Sequence, residues 1–242
     1  MVRRLLPRAV ELGTHAFPAW TTVLAWAFLL IAACCAVWIL ADVVRHPQEM
    51  AVMNVVWPVT ALFGGVFWLL FYRRWGRPRS WPRPFPISVA IGTSHCGAGC
   101  AVGDVIGEFG LVAFPVVASL VGLGHLYSDR MIAGWIVDFV IAYAAGVVFQ
   151  HFAIAPMRQA GVRDALVAAV KADAASIVSW QVGMYGGMAI AQLLLLPAWF
   201  GGWAAVLTPQ FWTVMQVAMM CGFLTAYPVN WLLVRRGVKE AM

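Results

Sequence analysis

The sequence predicts an all-α fold, a polytopic membrane helix bundle of about six transmembrane helices. Three observations carry this. First, 63% of the 242 residues are hydrophobic and only 11% are charged, whereas a soluble domain carries roughly 25% charged residues. Second, the mean hydropathy of +0.84 is concentrated in runs of about 20 apolar residues, the length that crosses a bilayer core. Third, Lys and Arg collect between those runs in alternate segments, the pattern of loops held on one face. The chain offers no room for a soluble domain beside the spans. The formal charge of +6 is accounted for by these loops, with no nucleic acid implied.

The elements follow in order. Residues 1–17 form a basic tail with Arg3, Arg4 and Arg8, and an uncleaved first span begins at Pro18 and runs to Ala41. After a polar link, the second span is expected over Met50 to Tyr72. The prolines and arginines of the segment from Arg73 to Pro84 exclude helix and lipid burial alike. Ile87 to Tyr127 holds no Lys or Arg. As one helix it would measure about 60 Å, twice the hydrocarbon thickness. A broken or re-entrant segment around residues 87–110 is therefore expected, followed by a crossing from Val105 to Tyr127 kinked at Pro115. The fourth span is read at Met131 to Ile154. An amphipathic stretch from Arg158 to Ala175 is expected along the interface. The fifth span covers Ser176 to Ala198 and the sixth Gln210 to Val234, so residues 18–234 make one transmembrane domain and 235–242 a basic tail. With six spans, alternate segments hold 14 and 2 of the 16 basic residues. Both termini are then expected in the cytoplasm, with a bacterial inner membrane as the location.

The chemistry concentrates in Ser94 to Glu108. On a helix, Cys96, Cys100, Asp104 and Glu108 fall at successive i,i+4 positions and form one slanting stripe. Gly99, Gly103 and Gly107 form a second stripe beside it, where another backbone can come close. His95-Cys96-Gly97-Ala98-Gly99-Cys100, followed by Gly103-Asp104-Val105-Ile106-Gly107-Glu108, resembles the signature of an uncharacterised family of bacterial and archaeal multi-span membrane proteins. The family is known as a domain of unknown function with an H-C-G-A-G-C motif. The resemblance covers residues 85 to 235 and implies no activity.

Thiolates, thioethers and imidazole suit a soft monovalent ion such as Cu(I). Cys96 and Cys100 with His95 or His151 form the candidate metal site, with Met184 and Met188 as helpers. Met215, Met219 and Cys221 offer a second soft group, and His46, Met50 and Met53 an outer capture site. Methionine pairs at helical spacing also serve as packing. A charged side chain at mid-bilayer costs about 2.5–3.5 kcal/mol, so Asp104, Glu108 and Asp138 must face a cavity, a cation or one another, and they are the candidate cation or proton path. Gly183 and Gly187 make a further close-packing face, and the glycine faces are candidate contacts for a homo-oligomer. The reading is a membrane protein that binds and translocates a soft cation. The rivals are a thiol/disulfide redox protein coupled to quinone and an assembly factor for a metalloenzyme. With no P-loop, Ser-His-Asp set or zinc-protease motif, transport or binding is favoured over catalysis.

Overall fold

A computed structural model describes residues 10–13, 16–77, 83–154 and 162–239, with side chains described at 83–149, 170 and 174–239 in the last two stretches. The elements are β1 (Val10–Leu12), α1 (Ala19–Arg45), α2 (Met53–Phe71) continued by a π-helical turn (Tyr72–Gly76), α3 (Phe85–Ala113), α4 (Val116–Leu120), α5 (Arg130–Ile154), α6 (Val162–Ala189) with a π-helical stretch (Ile190–Leu195), α7 (Leu196–Phe200), β2 (Gly202–Ala204) and α8 (Pro209–Arg235). Six helices are long and apolar enough to cross a membrane. Large apolar side chains such as Phe67 and Val23 point outward, as they do where lipid is the solvent.

One of the six doubles back. Trp57 and Tyr72 stand 15 residues apart, about 22 Å on a straight helix, yet their ring centroids are 5.3 Å apart. Phe63 and Trp68 close a similar pair at 5.5 Å. The reversal is at Gly65, whose φ of 52° and ψ of −132° lie in a region that a side chain excludes. The two arms of α2 therefore form a helical hairpin whose foot is clamped to the end of α1. There the Tyr72 hydroxyl donates to Asp42 Oδ2 at 2.7 Å, and Arg77 Nη2 donates to Asp42 Oδ1 at 2.6 Å. Arg83 Nε, just before α3, donates to the Trp75 carbonyl at the hairpin's foot at 3.1 Å, so the chain enters and leaves the hairpin at one end of the bundle.

The broken segment is thus α2, and the stretch expected to be broken is not. α3 is continuous for 29 residues, about 44 Å. The break falls after it, at Phe114 and Pro115, and residues up to Tyr127 make the short α4 and a turn with Gly122 and Gly124 at φ of 109° and 86°. The crossing expected at Val105 to Tyr127 is replaced by Phe85–Ala113. α3 keeps its helix through six glycines because α5 supports it along the glycine stripe. The separate interfacial helix expected at Arg158 to Ala175 is also absent in that form: residues 155–161 lie outside the described residues, and from Val162 the helix runs on into the span.

The ends of the bundle follow from contacts. β1 pairs in parallel with β2, Val10 opposite Gly202. Gln210 at the start of α8 donates to Thr22 at the start of α1, 2.8 Å. At the other end of α8, Arg235 lies over the Phe85 ring at the start of α3. The two ends of the described chain therefore sit at opposite ends of the bundle.

Both glycine faces are filled from within the chain. A Cβ on Gly99 would meet the Gly146 backbone of α5 at 3.0 Å, and one on Gly103 would meet Ala142 N at 2.6 Å. A Cβ on Gly183 would meet the Cys221 carbonyl at 2.6 Å and one on Gly187 would meet Ala218 Cα at 3.2 Å, both on α8. Both faces thus serve as close contacts between helices of the chain itself.

Candidate functional site

Every residue of α3 from Ile91 to Ala101 is buried, as are Asp104 and Glu108. The stripe Cys96, Cys100, Asp104, Glu108 therefore runs through the interior, about 18 Å from first to last. At its first end, Cys96 Sγ lies 2.9 Å from Ser176 Oγ on α6 and accepts from Lys239 Nζ at 3.0 Å. Asn230 Nδ2 on α8 donates to Ser176 Oγ at 2.7 Å, which leaves the one hydroxyl hydrogen of Ser176 for the sulfur. An ammonium at that distance can balance a negative charge on the sulfur. Lys239 lies beyond the end of α8 and is folded back into the bundle, only 3% exposed.

Two turns further, the acids gather. Asp104, Glu108 and Asp138 are 0%, 8% and 1% exposed. Among the described residues, neither carboxylate oxygen of Asp104 has a hydrogen-bond partner, nor does Oδ1 of Asp138. Asp138 reaches across from α5 to Gly107, where a Cβ would collide with its Oδ1. A Cβ on Gly134 of α5 would stand 3.1 Å from Glu108 Oε1. The small residues that bring α3 and α5 together are also what bring these carboxylates together. Glu108 lines a cavity of about 80 Å³ with Arg130, Met188 and Gln192. The polar line thus has Lys239 at one end and Arg130 near the other. A second cavity of about 550 Å³ lies between α1, the tip of the α2 hairpin, α3 and α8, and Asp104 is among its lining.

The other expected donors are dispersed. The His95 ring faces the Phe149 ring of α5 at 6.0 Å between centroids, away from the Cys96 side of the helix. His151 is on α5, in a stretch whose side chains lie outside the described residues. Met184 is fully buried in the core, and Met188, one turn on, faces the Glu108 cavity. Met215 and Met219 line the larger cavity. The Cys221 sulfur would stand 3.4 Å from a Cβ on Gly187. Met53 is buried, and His46 Nδ1 lies 3.5 Å from Asp42 Oδ1. Among the described residues, no three His, Cys, Asp or Glu side chains converge in a way that could hold a metal. The arrangement offers two thiols one turn apart instead.

Sequence reasoning missed Ser176, Asn230, Lys239 and Tyr185, whose hydroxyl donates to the Trp135 carbonyl at 2.7 Å. Asn230, a buried amide in an apolar run, was the available signal, since such a group must find a partner. Nothing local marks Lys239.

The fold and this line of side chains define a class: a polytopic helical membrane protein with thiols and carboxylates sealed along one interior helix. The chain belongs to the family described as a domain of unknown function, DUF4396, whose model matches residues 87–239. The match opens within α3 and closes on Lys239, so the whole polar line falls inside it and α1 and the α2 hairpin precede it. No curated protein and no solved structure matches the chain.

Proposed function

We propose that the protein takes up a soft monovalent cation, with Cu(I) the best-fitting ion, at Cys96 and Cys100 and passes it along α3 toward Asp104, Glu108 and Asp138. The observation that carries this reading is the Asp104 carboxylate, buried inside an apolar bundle with no hydrogen-bond partner among the described residues, one turn from the buried thiol of Cys100 and two turns from that of Cys96. Burying such a group without a partner is costly, and a passing cation or proton supplies what the fold withholds. Two thiolates at i,i+4 suit the low coordination number that Cu(I) accepts. Lys239 donates to the Cys96 sulfur and must withdraw when the metal binds.

The test is equilibrium competition of the reduced, purified protein against a Cu(I) chelator. The parent is expected to hold one Cu(I), and the Cys96→Ser/Cys100→Ser variant to lose at least 100-fold in affinity, about 2.7 kcal/mol. A double variant that competes as well as the parent removes the thiols from consideration.

The orientation that accompanies this function has five crossings and one re-entrant hairpin. Arg45, Arg73, Arg74, Arg77, Arg83, Arg235, Arg236 and Lys239 belong to one end of the bundle, with Arg130 at the start of α5 at the other. By the distribution of basic residues the first end is cytoplasmic. The C-terminal end of the described chain is then inside and its start outside, in place of both termini inside. Introduced cysteines check this. Glu49→Cys and Pro84→Cys are expected to label with an impermeant maleimide from the cytoplasmic face only, and Leu207→Cys from the other. Labelling of Glu49→Cys and Pro84→Cys from opposite faces means that α2 crosses.

A further inference from the structure

Because the α2 hairpin turns back at Gly65, it fills only part of the bundle's depth. The space beyond its tip is the cavity of about 550 Å³, well within the range of small-molecule sites. Its walls are aromatic and soft: Trp26, Phe63, Phe109, Trp212 and Met215. Phe109 and Trp212 stack, with centroids 5.1 Å apart and planes at 13°. Trp26 is 52% and Phe109 45% exposed on the lipid-facing surface, so the cavity opens sideways. At its inner wall is Asp104, fully buried, with neither carboxylate oxygen hydrogen-bonded among the described residues.

We propose that this cavity binds a lipophilic organic cation that enters from the bilayer, with the aromatic walls taking its body and Asp104 serving as its counter-ion. The chemistry selects against other occupants. An acyl chain would fill the volume and leave the carboxylate unanswered. A bare metal ion needs several converging donors; besides Asp104 the lining offers only Thr208, Gln216 and the thioethers of Met215 and Met219 among apolar groups, and among the described residues no three His, Cys, Asp or Glu side chains converge to hold a metal. A quinone working with the thiols would need to touch Cys96 or Cys100, and neither lines the cavity. An organic cation meets both halves of the site, since tryptophan faces attract positive charge and methionine adapts to irregular shapes. This ligand is separate from the soft metal of the thiol site, although Asp104 borders both.

Tetraphenylphosphonium, an apolar aromatic cation, is the probe. Equilibrium dialysis with the full chain in detergent is expected to show saturable one-site binding. Asp104→Asn is expected to weaken it at least tenfold. Val105→Trp, at a 43% exposed position on the cavity wall, is expected to abolish it while leaving thermal unfolding unchanged. Cys96→Ser/Cys100→Ser is expected to bind the probe like the parent, so loss of Cu(I) binding and loss of this site are read separately. The proposal is overturned by parent-like affinity in either Asp104→Asn or Val105→Trp, by the absence of saturable binding, or by equal displacement with neutral triphenylmethane.

Discussion

Arg77→Ala is expected to lower stability by about 1–3 kcal/mol, and Asp42→Asn by less than about 1 kcal/mol, although the two changes break the same contact. The asymmetry comes from burial. The Asp42 side chain is 8% exposed and that of Arg77 42%. Removing Arg77 leaves a carboxylate sealed between α1 and the hairpin, with the Tyr72 hydroxyl and His46 beside it. Neutralising Asp42 lets Arg77 turn into water, and the amide oxygen of asparagine can still accept from Tyr72. The double variant should therefore resemble Asp42→Asn rather than the sum of the two. The Asp42 contact holds the Arg77 guanidinium above its ordinary value, with burial opposing it less strongly. The contact needs both charges, so its stabilisation is lost above the arginine value and also at acid pH, where the Asp42 carboxylate takes up a proton. Titration of the detergent-solubilised protein with a denaturing detergent measures the order. Equal midpoints for Arg77→Ala and parent would mean that this clamp does not hold the hairpin foot.

The class of fold was legible because the bilayer makes it so: apolar runs of the right length admit little besides helices. The stripe on α3 was legible because helical spacing alone puts Cys96, Cys100, Asp104 and Glu108 on one face. The α2 hairpin was not. Met53 to Gly76 is 24 residues, long enough to cross, and Gly64-Gly65 within it resembles the glycines common in membrane helices. The clue was Asp42, an acid inside an apolar run, which required a partner; Arg77 and Tyr72 meet that need only if the chain doubles back. Reading α2 as a crossing gave an even number of spans, and with it both termini on one face. It also pushed the expected break into α3, where the long uncharged stretch to Tyr127 had to be shortened somehow. His95 and Cys96 looked like one site because they are adjacent, but neighbours on a helix point about 100° apart, and the fold sends one ring toward α5 and one sulfur toward α6 and α8.

The hairpin also connects the fold to the site. Its reversal short of the far end creates the large cavity, and the clamp at Asp42 holds the foot of the hairpin against α1. The acids depend on a different contact, the close approach of α3 to α5. The region matched by the family spans α3 to Lys239, so it contains the helices that make that approach and lacks α1 and α2. The polar line is thus built within the matched helices, and the large cavity needs the two elements that precede them.

Gly103→Leu is expected to abolish folding, and Gly103→Ala to lower stability by about 1–3 kcal/mol, whereas Gly92→Ala and Gly110→Ala should be neutral or stabilising by up to about 1 kcal/mol. All three glycines lie on α3, so helix propensity favours alanine at each of them equally. The difference is the neighbour. A Cβ on Gly103 would stand 2.6 Å from Ala142 N and 2.7 Å from Ala142 Cα, while one on Gly92 or Gly110 meets nothing within 4 Å among the described residues. The backbone of α5 cannot rotate aside as a long side chain would, so α3 and α5 must part. Parting them moves Asp138, four residues before Ala142, away from Gly107 and from the Asp104 and Glu108 carboxylates. Gly103→Ala should therefore lose cation affinity as well as stability, and Gly92→Ala should lose neither. Unfolding midpoints and Cu(I) competition on the same three alanine variants decide the matter. If Gly103→Ala is as stable as Gly92→Ala, the two helices do not pack as closely as this approach requires, and the gathering of the three acids by that contact fails with it.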